Sequence, residues 1–261
     1  MYNTKIHSIV IRFFFFLFFC LIWQGVAYYL SAVPGPFEIF VDIIFLLRHD
    51  IIFNILISIW RVFVALVISL AFGLFLGLLS AQVPLLGLFL STIFTPIIEA
   101  LPPLAWTIIC IFILGIGETS VLFIVCVILI QFFIVSTIEG LKNIDKNLVE
   151  MAQSFPLGQW LTLDKINFAT RVNILRYVES GMIIPYILIA TRLAYGVAWK
   201  VIVVAEMFGA SEGVGYLLNQ AYSTLSIKRL ISLSTLVVLL FILGDCVVLK
   251  NINKRFKKWR V

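Results

Sequence analysis

Apolar residues run almost unbroken through six blocks: Ile9–Leu30, Ile51–Ser80, Leu85–Leu114, Thr119–Thr137, Met182–Phe208 and Leu230–Leu249. A helix needs roughly 20 such residues to cross a hydrocarbon core of about 30 Å, so each block is a candidate transmembrane span. The first is longer than the roughly 7–15-residue core of a signal peptide, and Ala27-Tyr28-Tyr29 is a poor cleavage site, so it reads as a retained span. Val33-Pro34-Gly35-Pro36 ends it, and Glu38–Asp50 reads as a short interfacial helix. The third block is interrupted by Glu99-Ala100-Leu101-Pro102-Pro103. Two adjacent prolines free backbone carbonyls at membrane depth, and neighbouring helices or a wet cavity must satisfy them. Gly209–Lys228, with Gly209, Gly213 and Gly215, reads as a polar link.

One long polar interval, residues 138–181, stands between the fourth and fifth blocks. Leu141, Ile144, Leu148, Met151 and Phe155 recur within it at three- or four-residue spacing, one apolar stripe of an amphipathic helix. Asp145 is an N-cap candidate and Pro156 ends the pattern. Such a helix either rests on the lipid interface or inserts into a groove on a partner; the pattern serves both.

Composition fixes the solvent. Of 261 residues, 62% are hydrophobic and 12% charged, against about 25% charged in soluble domains. A soluble fold could not hide that much apolar side chain, so the protein is all-α and embedded in a membrane. The net charge of +6 does not point to nucleic acid, because the basic residues sit beside apolar blocks. Thirteen Lys and Arg fall in the N-terminus, the 138–181 interval and the tail, against three in the opposite links, Arg48, Lys228 and Arg229. The positive-inside rule then puts both termini and the interval in the cytoplasm. The turn at 81–84 contributes no basic residue to that count.

Ionisable residues inside the blocks are the candidate chemistry, since charge at membrane depth is costly. Arg61 reads as snorkelling or paired with a carboxylate on another helix, in preference to a substrate contact. Glu99, just before the proline break, is either a substrate-pathway residue or a structural partner of Arg61 or Arg192. Arg192 and Lys200 are either anion contacts or helix-pairing charges. Cys20, Cys110, Cys126 and Cys246 lie in apolar blocks without CxxC spacing, and His7 and His49 flank blocks, so no metal site is expected. No GxxxxGK[ST] occurs, and no cofactor constellation or Ser/His/Asp set is present, so the chain is not expected to be an enzyme. No internal repeat of a secondary transporter is evident. A pore-forming subunit driven from outside its own sequence remains; the alternative is a non-transporting scaffold or a nucleotide-independent pore.

Several motifs then carry a resemblance. The segment Thr137-Ile138-Glu139-Gly140-Leu141-Lys142-Asn143-Ile144-Asp145, followed by Leu148-Val149-Glu150-Met151-Ala152-Gln153-Ser154-Phe155, resembles the EAA loop of binding-protein-dependent ABC importer permeases. It is most similar to the branch handling nitrate, taurine, alkanesulfonates, bicarbonate and some vitamin precursors. Val33-Pro34-Gly35-Pro36, Ser58-Ile59-Trp60-Arg61-Val62 and Leu101-Pro102-Pro103-Leu104-Ala105-Trp106 resemble its motifs in order. So do Phe112–Glu118, Pro185-Tyr186-Ile187, Arg192-Leu193-Ala194, Ala198-Trp199-Lys200, Ala205–Ala210 and Gly213–Leu217, covering nearly the whole chain.

The resemblance implies a type I ABC importer permease: one transmembrane domain over 1–261 with six helices, and 138–181 as a cytoplasmic coupling loop between helices 4 and 5. It implies a bacterial inner-membrane, multi-pass location and no cofactor. The implied partners are a second permease copy, two ATP-binding subunits that hydrolyse ATP, and an extracytoplasmic substrate-binding protein. Glu150, Met151 and Ala152 take the EAA positions, with Phe155 and Gly158 as further ATPase-coupling residues. Glu99, Pro102, Pro103, Arg192, Lys200 and Glu206 are the substrate-pathway candidates. The chain departs from the family pattern after the loop, with Pro156 where a glycine is expected and a longer segment before Pro185.

Overall fold

The computed structural model describes residues 2–30, 33–48, 51–143 and 180–246. Among them every element is helical: α1 (Tyr2–Tyr29), α2 (Pro36–Arg48), α3 (Ile51–Gln82), α4 (Pro84–Phe89), α5 (Thr95–Ala100), α6 (Pro103–Leu114), α7 (Glu118–Lys142), α8 (Ser180–Gly209), α9 (Val214–Ser223) and α10 (Ile227–Gly244). Four of these, α3, α7, α8 from Ile183, and α10, are long and apolar enough to cross a membrane. A fifth span is made if α4–α5 and α6 count as one broken crossing.

α7 is the axis of the bundle, and of the four spans it buries the largest share of its residues. Small residues let its neighbours approach. On α3, Arg61, Ala65, Ser69, Gly73 and Gly77 fall every fourth position and are all buried. That spacing makes one ridge along the helix. Gly73 and Gly77 form a GxxxG pair, the pattern that brings membrane helices into backbone contact. A Cβ on Gly73 would lie 3.0 Å from the Ile130 carbonyl oxygen, and one on Gly77 would lie 2.7 Å from Thr137 Cγ2. Ser69 Oγ completes the seam by donating to the Cys126 carbonyl at 3.1 Å. α7 also packs against α8, whose Ala190, Ala194 and Ala198, again every fourth residue, are fully buried in the same core.

α7 and α8 are antiparallel. At one end the backbone at Gly140 lies against Ile183 and Tyr186. At the other, Gly117 N–H donates to the Gly209 carbonyl at 2.9 Å. An α-helix rises about 1.5 Å per residue, so the 25 residues of α7 separate those ends by about 37 Å.

A second cluster lies beside this axis. α2 buries Ile39, Ile43 and Leu46 against Val214, Leu218, Leu233 and Leu236 of α9 and α10. A short helix therefore stands where one is expected, and it packs on protein. α9 differs from expectation: the Gly209–Lys228 link contains a ten-residue helix. Its inward positions Val214, Leu218 and Ala221 have helical spacing, but the surrounding Gly, Asn and Ser residues masked it. The 138–181 interval also begins inside a helix, since α7 continues to Lys142.

Candidate functional site

Two polar features interrupt the apolar bundle. The first is built on Arg61, about three turns inside α3. Its side chain is buried, and an unpaired guanidinium there would cost several kcal/mol in desolvation. Two acids from distant helices offset that cost. Arg61 Nε donates to Glu118 Oε1 at 2.9 Å, at the start of α7. Its Nη1 donates to Glu206 Oε1 and to the Glu212 carbonyl, both at 2.8 Å. Glu206, fully buried on α8, also accepts from Ser58 Oγ at 2.8 Å and from Gly215 N–H at 2.9 Å.

Ser58 Oγ in turn accepts from Val214 N–H at 2.9 Å, and Asn54 Oδ1 accepts from Gly213 N–H at 2.7 Å. The free amides opening α9 therefore point at Asn54, Ser58 and the Glu206 carboxylate, where the positive end of the helix dipole favours negative charge. Three spans and α9 meet at this point. The reading of Arg61 as paired with a carboxylate on another helix is the one realised. Glu118 enters the sequence reading only as the end of the Phe112–Glu118 motif, and the partners are 57 and 145 residues away, so no local pattern announces them.

The second feature is the broken helix. Leu101 and Pro102 are both extended, as residues preceding proline must be, and the chain turns by 92° between Ala100 and Pro103. The carbonyls freed by the break are taken up nearby. Trp106 Nε1 reaches the Ile98 carbonyl at 3.4 Å, Ala105 N–H donates to the Pro102 carbonyl at 2.9 Å, and Thr107 Oγ1 to the Pro103 carbonyl at 2.9 Å. Pro102 and Pro103 are exposed at the corner. A π-helical turn over Leu90–Phe94 adjusts the register just before Thr95-Pro96.

Glu99, immediately before the break, projects into a groove of about 310 Å³ between α5, α7 and α8, together with Gln131, Ser136, Glu139, Tyr186 and Leu193. It forms neither of the ion pairs weighed for it: Arg61 is committed to Glu118 and Glu206, and Arg192 to Asp245 at 3.3 Å. The six pathway candidates are not brought into one site. Arg192 is exposed and held by α10's C-terminal end. Lys200 is exposed beside Trp199 and Phe241 in a separate groove between α8 and α10. Glu206 belongs to the Arg61 cluster. The coupling residues Glu150, Met151, Ala152, Phe155 and Gly158 lie outside the described residues, which α7 and α8 bracket from either side.

A helical bundle with a broken span and a buried ion cluster is a pattern that many membrane proteins can build. The comparison with known proteins decides among them. Residues 73–258 match the family model described as binding-protein-dependent transport system inner membrane component, which is more than half of the chain. The chain belongs to that family.

Its relatives agree. It is 30% identical to a putative ABC transporter permease protein of Methanocaldococcus jannaschii over 81% of this chain and 74% of the other. It is 27% identical to the taurine transport system permease protein TauC of Escherichia coli, over 77% and 68% of the two chains. It is 26% identical to the putative aliphatic sulfonates transport permease protein SsuC of Bacillus subtilis, over 92% and 83%. The protein is thus a permease component of a binding-protein-dependent ABC importer, located in the membrane as a multi-pass subunit. As the membrane subunit it is distinct from the ATPase of such systems, and the scaffold and free-pore alternatives are not favoured.

Proposed function

We propose that this permease forms half of a substrate pathway, together with a second permease copy, and is driven by two ATPase subunits and fed by an extracytoplasmic binding protein. In this reading α1, the broken α4–α6 crossing and the four long helices make six spans, with both termini cytoplasmic. Residues 144–179 then face the cytoplasm, and Glu150, Met151 and Ala152, with Phe155 and Gly158, form the lever that the ATPase grips. The Arg61 cluster falls at the opposite, extracytoplasmic face. The broken helix, Pro102 and Pro103 included, borders the pathway with Glu99, and the other candidates, Arg192, Lys200 and Glu206, line or brace it.

The observation that carries this reading is the antiparallel pair α7 and α8. They bracket residues 144–179 at one end and hold Glu118 and Glu206 at the other. Two helices packed through small residues move as rods, so displacement of the loop reaches the ion cluster about 37 Å away. ATP-driven closure of the partner subunits thereby biases inward- against outward-facing states.

The test is Glu150→Lys in the intact complex. The variant inserts normally but loses copurification with the ATPase by about 30-fold, as expected for a contact of about 2 kcal/mol or more. Wild-type ATPase binding by that variant overturns the reading.

A further inference from the structure

Taurine, nitrate and aliphatic sulfonates, named for three relatives, each carry an anionic group. The groove beneath the broken helix has the opposite chemistry. Two carboxyl groups, Glu99 from α5 and Glu139 from α7, enter it. No Lys, Arg or His is among the described residues that line it. The nearest basic groups along the sequence are turned elsewhere: Lys142 is exposed on the last turn of α7, outside the lining, and Arg192 is held by Asp245.

A second observation is independent of the acids. Gln131, two turns from Glu139 along α7, is 4% exposed and lines the groove, yet its Oε1 accepts no hydrogen bond from the described residues. A buried acceptor without a donor costs about 1–3 kcal/mol, so an acceptor kept there is suited to a visiting donor. Two carboxylates and a free amide oxygen make an acceptor-rich wall, with the Tyr186 ring and Leu193 supplying the apolar part. A solute bearing N–H donors and positive charge satisfies all of these groups. Nitrate or a simple alkanesulfonate satisfies none and meets two like charges, and the ammonium group of taurine is offset by its own sulfonate. A cleft of one sign with apolar walls focuses its field, and acidic linings select cations in channels for that reason.

We infer that the groove formed by Glu99, Gln131 and Glu139 is a passage for small solutes of net positive charge, and that this permease differs in substrate charge from the nitrate and sulfonate systems it resembles. The inference rests on the permease reading, because a groove matters to transport only if solute passes along it.

The test places a cysteine in the groove, Ser136→Cys and separately Leu193→Cys, in the full chain with its partner subunits and without nucleotide. Each thiol is modified by trimethylammonioethyl methanethiosulfonate or by sulfonatoethyl methanethiosulfonate. Rates are corrected for the unmutated protein and normalised to a free thiol in solution. The expected result is modification on the order of tenfold faster by the cationic reagent, falling toward the free-thiol ratio in the Glu99→Gln, Glu139→Gln background. Equal rates, faster modification by the sulfonate, or a groove closed to both reagents at both positions overturns the inference. The permease reading is judged apart from this, by ATPase copurification with Glu150→Lys, so either can fail while the other stands.

Discussion

Gly213 has φ +109°, a backbone region that side chains rarely adopt, and a Cβ there would sit 2.6 Å from Glu206 Oε1. Gly213→Ala therefore both strains the turn and displaces the acid that neutralises Arg61. The expected loss is about 1–3 kcal/mol for the strain alone, read as a lower unfolding temperature of the detergent-solubilised protein. The ion cluster itself calls for a double-mutant cycle. Removing one partner, as in Arg61→Met, leaves buried charge uncompensated and costs about 3–5 kcal/mol. Replacing both, Arg61→Met with Glu206→Met, costs less than the sum of the single changes. Additive losses in thermal unfolding count against a coupled pair. Sequence reasoning reached half of this. It recognised that Arg61 needed a carboxylate, because charge in hydrocarbon always does, but Glu118 and Glu206 become its neighbours only through tertiary packing. Glu99 shows the converse: both partners weighed for it are taken by other acids.

Helices were legible wherever hydrophobicity alone specified them. The blocks beginning at Ile51 and Met182 became α3 and α8 with ends shifted by about two residues, within the usual fraying of helix ends. The interruption at Pro102-Pro103 became a bend because proline acts locally. α9 was missed, since its apolar face is short and its flanking glycines read as a link. The GxxxG seam of α3 was invisible to a search for apolar blocks, which weighs Gly only as a break. That seam supports a prediction at its own scale. Gly77→Leu must push α3 off Thr137 and costs about 1–3 kcal/mol or more by overpacking. Phe72→Leu, on the exposed side of the same helix, changes stability little. Comparable unfolding temperatures for the two variants contradict close α3–α7 packing.

Across the whole molecule, the proposed orientation rests on charge bias, a property of the sequence that no internal contact reports. Ser211 is exposed in the turn between α8 and α9, and Asn143 is exposed at the far end of α7. In intact cells a membrane-impermeant thiol reagent is expected to label Ser211→Cys and to spare Asn143→Cys until the membrane is opened. The reverse pattern inverts the topology and moves residues 144–179 away from any cytoplasmic ATPase. The family was legible because its motifs lie in order along nearly the whole chain. The coupling residues lie outside the described structure, and their role rests on the motif and on the two helices that flank it.

The Arg61 cluster also bears on how the chain is made. An arginine synthesised early is neutralised by acids synthesised late: Glu118 lies 57 residues and Glu206 145 residues further along. While the ribosome covers that distance, α3 holds an unpaired charge in its first third, which must reach toward the interface. It costs less than the roughly 2.5–3.5 kcal/mol of a charge at the centre of a membrane helix. The final burial of Arg61 is therefore expected only when α7 and then α8 emerge. A ribosome halted before Glu118 should leave Ser58→Cys open to an aqueous thiol reagent, whereas one halted well beyond Gly215 should leave it closed.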